Sequence, residues 1–206
     1  MKRRKKKKKK SNVINNIKNV LYILYSGICE IMSVQCQSLS AETICVSHKL
    51  NDKWVLYHHL PSEKNWTLSG YTVLCDEVDS VEKVLTLNKS LTENIIKYSM
   101  LFFMRQGITP LWEDPMNRPG GCFSYKVVNK HVVQVWRHMM YLAAGETLGV
   151  NSEYNSCING ITISPKKNFC ILKIWLKDNK HQDSQYISAI DNLTRHGVMF
   201  KTHGES

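Results

Sequence analysis

The residues Gly107 to Phe123, GITPLWEDPMNRPGGCF, constrain the chain most, because they can be neither helix nor an uninterrupted strand. Pro110 and Pro119 each lack a backbone donor and hold φ fixed. Gly120-Gly121 is a turn signal. Tyr98 to Arg105 before this stretch and Cys122 to Val128 after it read as strands, so the stretch is a loop and the two strands are expected to be hairpin partners. The loop sets Trp112 beside Glu113. An aromatic face next to an acid suits a flat, hydrogen-bonding or cationic ligand, and stacking is a usual way to hold a nucleic-acid base. A carboxylate only accepts hydrogen bonds, so it selects a base edge that presents N–H groups, as guanine does at N1 and N2. A buried Trp next to a surface acid is the plainer reading of the same pair.

The remaining sequence supplies strands and helices around that loop. Trp54 to Tyr57 and Tyr71 to Cys75 read as strands. Ser80 can cap a helix from Val81 to about Leu91, with Glu82 in the favourable first turn. Val132 to Ala144 has a helical apolar period, with Gly149 as its end. Gly160 to Ser164 and Phe169 to Leu176 form a strand pair. Ser184 to His196 is expected to be a helix with Ile187, Ile190 and Leu193 inward and Gly197 at its C-terminal cap. Val198 to Phe200 is a last strand. Strands joined mostly by short turns, with fewer helices, predict an α+β fold: a curved antiparallel sheet with helices on one face.

Two parts are expected: residues 1–45 as an extension and residues 46–206 as one folded domain. The 206 residues suffice for a full core. Nine of the eleven net positive charges fall in Lys2 to Lys10, which leaves +2 for the rest. The chain is thus a nearly neutral domain with a basic tail, and a block of like charge is expected to be disordered. It reads as a solvated tail, an RNA-phosphate contact or a nuclear import signal. Ile14, Ile17, Leu21, Leu24, Ile28 and Ile31 have helical spacing and suggest an amphipathic helix. A secretory signal ending in Ser-Leu-Ser-Ala before Glu42 is the rival reading. The uncharged run from Asn19 to Cys29 is too short to span a membrane. Cysteines stand at 29, 36, 45, 75, 122, 157 and 170, an odd number with no C-x-x-C. That pattern fits reduced thiols better than a disulfide framework or a zinc site, so no metal and no cofactor are expected.

Gly107-Ile-Thr-Pro-Leu-Trp-Glu-Asp114, then Asn117 and Gly120-Gly121, resembles the signature loop of the cap-binding translation initiation factor 4E family. Lys53 to Tyr57 resembles its first core strand, Asp79 to Glu82 the start of its first helix, Val135-Trp136 and Gly145-Glu146 its second helix, and Ile171 to Trp175 a late strand. The resemblance covers roughly Val46 to Phe200. It implies helices on the convex face of the sheet and a pocket for the mRNA 5′ cap on the concave side. Trp66 and Trp112 would sandwich the cationic 7-methylguanine, which gains from electron-rich ring faces. Glu113 would accept from guanine N1–H and N2–H, and Trp175 would lie near the N7-methyl group or simply fill the core. Lys166 and Lys167 would hold phosphate. Cys122 stands where the family usually has Arg, which predicts weaker phosphate binding unless Arg118, Lys173 or the tail compensates.

The same resemblance implies a dorsal face for an initiation scaffold or its inhibitory mimics, made here by Val81, Leu85, Trp136, Arg137, His138 and Tyr141. Leu85 replaces a usual Trp, Arg137-His138 a usual Leu-Glu pair, and Lys49 a Pro. Inverted charge rejects a wrong partner, so a non-standard partner is expected. The expected function is non-enzymatic cap binding in cytoplasmic translation initiation, with no membrane attachment. The alternative is a competitor that sequesters caps without recruiting the usual scaffold. A divergent paralogue or a viral homologue would suit these departures. An enzyme is disfavoured, since neither a P-loop nor H-x-E with P-C-x-x-C occurs, and His58-His59 with Cys122 is better explained by core or solvated side chains.

Overall fold

The computed structural model describes residues 47–204; the N-terminal extension, with its basic run and amphipathic segment, lies outside the described residues. Strands β1 (Lys49–His59), β2 (Thr72–Ser80), β3 (Met100–Arg105), β4 (Gly121–Val128), β5 (Ile158–Pro165), β6 (Phe169–Leu176) and β7 (Met199–Thr202) form one antiparallel sheet. Their order across it is β2-β1-β3-β5-β6-β4-β7. The helices are α1 (Val81–Ser90), α2 (Glu93–Tyr98), α3 (Val132–Ala144) and α4 (Ser152–Cys157).

Period-2 alternation builds the two faces of the sheet. Leu101 and Phe103 on β3, Ile161 and Ile163 on β5, and Leu172 and Ile174 on β6 are all buried and belong to the convex, helix-covered face. Trp54 stacks on Phe103 there, with ring centroids 4.8 Å apart. α3 contributes Val132, Val135, Trp136, Met139 and Met140 to this core. Burying each such large side chain stabilises the fold by roughly 1.5–3 kcal/mol. The intervening residues Phe102, Met104, Cys122 and Trp175 form a second buried cluster with Ile108 on the concave face.

Local signals explain the helix ends. The Ser80 hydroxyl accepts from the Lys83 N–H at 3.3 Å and opens α1. The Thr92 hydroxyl accepts from the Ile95 N–H and opens α2, an element not anticipated, so β3 starts at Met100 rather than Tyr98.

Three expectations are corrected. β3 and β4 are not hairpin partners: β3 pairs with β1 and β5, and β4 with β6 and β7. The segment 106–120 is too long for a tight hairpin to set the register, and it crosses to the other half of the sheet. Ser184 to His196 is not a helix; only Ser184–Tyr186 makes a single 3-10 turn. Asn192 has φ 65°, which a right-handed helix cannot accommodate, although Ile187 and Ile190 are buried as expected. The end of α3 is Gly145 rather than Gly149. Gly149 instead packs on Tyr154 and Asn155, trading hydrogen bonds with the Asn155 side chain at 2.7 and 2.9 Å.

Candidate functional site

The loop between β3 and β4 is held by its own polar side chains. Asp114 accepts from the Thr109 N–H at 2.8 Å, the Thr109 hydroxyl at 2.6 Å and the Met116 N–H at 2.8 Å. Burial alone would raise the Asp114 carboxyl, but these donors outweigh it and hold it below its ordinary value. Asn117 is fully buried and donates to the Thr109 and Leu111 carbonyls at 2.9 and 2.8 Å. The Asn159 amide on β5 donates to Asn117 Oδ1 and to the Met116 carbonyl. A Cβ on Gly120 would meet the Leu176 carbonyl oxygen at 1.8 Å, so only glycine lets the loop close onto β6. These contacts consume the loop's buried polar groups and leave Trp112 and Glu113 exposed at its crest.

Both side chains line a cavity of about 470 Å³ on the concave face. Trp66 lines it too, from the segment after β1. Trp66 and Trp112 are 53% and 45% exposed, unusually open for tryptophan, which leaves ring face available to a ligand. Trp66 rests one ring face on His59, with centroids 4.3 Å apart and planes 11° from parallel. His59 is itself buried and bonded through Nε2 to the Asn65 carbonyl at 2.9 Å. Tyr71 packs at a tilt on His59 and edge-on against Phe102. Burial first, and the Glu113 charge second, push the Tyr71 phenol up to about 12, so it stays neutral beside the carboxylate. Trp175 lines the same cavity but is only 6% exposed; its indole N–H donates to the Thr162 hydroxyl at 3.2 Å. It is thus a core residue that also borders the cavity.

Positive charge borders the cleft. Lys166 and Lys173 line it, whereas Lys167 is exposed in the β5–β6 turn and is not among the lining residues. An adjoining cavity of about 280 Å³ shares Trp112, Lys173 and Trp175 with the first, and adds Cys122, Lys201 and His203. Cys122 pairs across the ladder with both Trp175 and Lys201, so all three side chains share one face. Arg118 lines neither cavity. Burial, then the neighbouring Lys173 charge, lowers His203 to about 4, so it is neutral near pH 7 and packs its ring against Trp175 at 4.7 Å. Tyr71, Lys201 and His203 were not singled out from the sequence, and His59 was considered there only beside His58 and Cys122, not as a support for Trp66. The alternation Val55, Tyr57, His59 along β1 was the available signal for His59; Lys201 and His203 became legible only with the β4–β7 register.

On the helix side, Val81, Leu85 and Tyr141 are exposed and line a shallow depression of about 90 Å³ with Leu50 and Val84. Trp136 is corrected: it is fully buried and belongs to the core, because the α3 stripe that carries it faces the sheet. Arg137 is partly buried and donates to the Leu91 carbonyl at the end of α1 at 3.1 Å. Its charge is thereby partly spent on a helix C-terminus. His138 is exposed. Lys49, in place of a proline, pairs with Asp79 at 2.8 Å, and His48 with Glu82 at 2.7 Å.

Exposed indole faces, with a carboxylate and ammonium groups on the wall of the same cavity of an α+β domain, suit a flat, hydrogen-donating ring that carries anionic groups. The chain belongs to the eukaryotic initiation factor 4E family, whose model matches residues 49–204. It is 29% identical over 136 residues to an initiation factor 4E homolog of Acanthamoeba polyphaga mimivirus, covering 56% of this chain and 50% of that protein. It is 26% identical over 152 residues to initiation factor 4E-2 of Schizosaccharomyces pombe, covering 71% of this chain and 61% of that one. The chain therefore spans about half to three fifths of the length of these relatives. Among solved structures it is similar in fold to Caenorhabditis elegans eIF4E-3 in complex with the 4E-binding protein Mextli, with a TM-score of 0.64, 19% identity, and coverage of 77% of this chain and 94% of that one. A schistosome eIF4E complexed with m7GpppG and 4E-BP gives a TM-score of 0.59 at 22% identity, covering 66% and 75%. Among the described residues no helix is long and apolar enough to cross a membrane.

Proposed function

We propose that this chain binds the 7-methylguanosine cap of mRNA in cytoplasmic translation initiation, without chemical turnover of the cap. The observation that carries the reading is the pair of half-exposed indoles, Trp66 and Trp112, with Glu113 on the wall of one cavity. Trp66 and Trp112 stack the methylated base, and Glu113 accepts its N1–H and N2–H while its negative charge faces the cationic ring. Trp175 borders the N7-methyl group. Lys166 and Lys173 take the phosphates, with Lys201 supplying the charge that Cys122 does not. This assignment replaces Lys167 by Lys173. A tryptophan-fluorescence titration with 7-methyl-GTP, against GTP as control, tests it. Saturable quenching by the methylated nucleotide alone is expected; equal responses to both would overturn the reading.

A second reading, a competitor that holds caps without recruiting the usual scaffold, is favoured by the dorsal face. Leu85 lacks the aromatic ring that the resemblance implies there, and Arg137-His138 replaces an implied Leu-Glu pair and so removes the acid that the usual partner would meet. A scaffold or 4E-binding-protein partner of altered sequence would use the Val81–Leu85–Tyr141 depression. Binding of an ordinary scaffold peptide as tight as to other family members would refute the second reading and leave the first intact.

A further inference from the structure

At the end of α4, three unlike side chains converge that lie outside the proposed cap site. The Cys157 thiol lies 3.9 Å from Asp178 Oδ2 and 4.0 Å from His181 Nδ1, and that nitrogen lies 3.2 Å from Asp178 Oδ1. One ligand atom from each residue falls within 4.8 Å of the others. The sheet enforces this meeting. Cys157 ends α4, Asp178 and His181 follow β6, and the β5–β6 ladder pairs Ile158 with Leu176. The Lys177 N–H then donates to the Cys157 carbonyl at 2.9 Å.

We propose that Cys157, Asp178 and His181 form a zinc(II) site, with water in the fourth position. A tetrahedral zinc with bonds of about 2.3 Å to sulfur and about 2.0–2.2 Å to nitrogen and oxygen sets its ligand atoms about 3.3–3.6 Å apart. The Cys157 sulfur stands 3.9 Å from Asp178 Oδ2 and 4.0 Å from His181 Nδ1, so it needs to close on each by only a few tenths of an ångström. Thiolate, imidazole and carboxylate form a donor set that zinc accepts, and the two anions neutralise the dication. Cys157 is buried, while Asp178 and His181 are 26% and 28% exposed at their side chains, which gives the metal an entry side and a place for water.

The surroundings hold these ligands in place. The Lys180 N–H donates to Asp178 Oδ1 at 3.0 Å, which leaves Oδ2 for the metal. The Tyr154 hydroxyl donates to the His181 carbonyl at 3.0 Å, and the Tyr154 ring meets the imidazole edge-on at 5.4 Å. Zinc is bound by the thiolate, whose proton leaves to solvent, and by the neutral imidazole through Nδ1 with its N–H at Nε2. The absence of C-x-x-C argued against zinc in the sequence, but here the ligands are brought together by strand pairing rather than by local spacing. A metal there would tie the turn after β6 to the end of α4 and fasten the segment that leads on to Lys201 and His203.

The full-length chain, freed of metal by chelator and dialysis, is titrated with Co²⁺ and then with Zn²⁺. One equivalent of Co²⁺ should give a thiolate-to-cobalt charge-transfer band with the visible bands of a tetrahedral ion, and Zn²⁺ should displace it. Cys157→Ser should abolish the charge-transfer band, and Asp178→Asn and His181→Asn should each weaken binding by more than about tenfold. Cys75→Ser should leave the spectrum unchanged. Circular dichroism and 7-methyl-GTP quenching, both expected to persist, establish that the variants are folded. A full-length chain that quenches normally but takes up no Co²⁺, or only at millimolar metal, would overturn the site. A charge-transfer band that survives in Cys157→Ser would overturn it equally, whatever the outcome for the cap.

Discussion

The Asn159 side-chain amide donates to Asn117 Oδ1 at 3.0 Å, joining the crest loop to β5 through a buried amide pair. Asn117 spends its own N–H groups on the carbonyls of Thr109 and Leu111, on either side of Pro110. The loop therefore takes its shape from two side chains that touch no ligand. Asn117→Ala would strand those carbonyls and the Asn159 amide in a dry site. A loss of about 1–3 kcal/mol in denaturant-unfolding stability is expected, together with weaker quenching by 7-methyl-GTP. An unchanged stability would mean that the loop is held otherwise.

At the ligand itself, charge and stacking can be separated. Glu113→Gln keeps a carbonyl acceptor but removes the charge, and charge-assisted hydrogen bonds contribute about 1.5–3 kcal/mol. A loss of about tenfold or more in 7-methyl-GTP affinity is expected. Trp112→Ala should cost about 1–3 kcal/mol from stacking. Isothermal titration of each variant decides, and wild-type affinity in both would remove the cleft from consideration.

His59 supports Trp66 from behind, and its Nε2 is bonded to the Asn65 carbonyl. His59→Ala should leave Trp66 unsupported and weaken 7-methyl-GTP binding without touching the nucleotide. His59→Phe, which restores the flat surface, should recover much of it. Equal loss in both variants would assign the effect to the lost hydrogen bond instead.

The phosphate assignment predicts a contrast among lysines. Lys173→Ala and Lys201→Ala should each weaken 7-methyl-GTP more than 7-methylguanosine and reduce the salt dependence, whereas Lys167→Ala should do neither. Titrations at two ionic strengths separate these outcomes. Sensitivity at Lys167 alone would restore the expectation drawn from the sequence.

Acid should loosen the fold through His58. Burial, with a smaller contribution from the His59 charge, lowers this side chain from 6.5 to about 4. Between those values the unfolded chain binds a proton that the folded one refuses, so stability is full above pH 6.5 and falls on acidification. From pH 7 to pH 5 this one group should cost about 2 kcal/mol. Urea unfolding at both pH values should show a smaller drop in His58→Phe; an equal drop would acquit His58.

The sheet, α1, α3 and the loop were legible because each carries a local signal: alternation, a Ser cap, a helical stripe, and prolines with paired glycines. Pairing partners were not. A run such as Met100–Arg105 advertises a strand, but both its edges satisfy hydrogen bonds equally well, and β1 and β5 fill them. The apolar spacing at Ile187 and Ile190 read as a helix although irregular chain buries both residues, because burial demands only that they reach the core. Trp136 had a plausible surface role by resemblance and a core role by periodicity, and periodicity prevailed. Lys201 was illegible for the same reason as the hairpin, since its meaning depends on which strand lies beside it.

The pairing of Cys122 with Lys201 separates a property of a place from a property of a residue. Two strands distant along the chain lie edge to edge, so positive charge at one point of the concave surface can be supplied from either. Under the proposed cap-binding reading, Lys201 on β7 would bring to this point the positive charge that an arginine at Cys122 would bring from β4. Charge at one place on a sheet can come from either of two neighbouring strands, so position on the surface, not position along the chain, is what a phosphate would read.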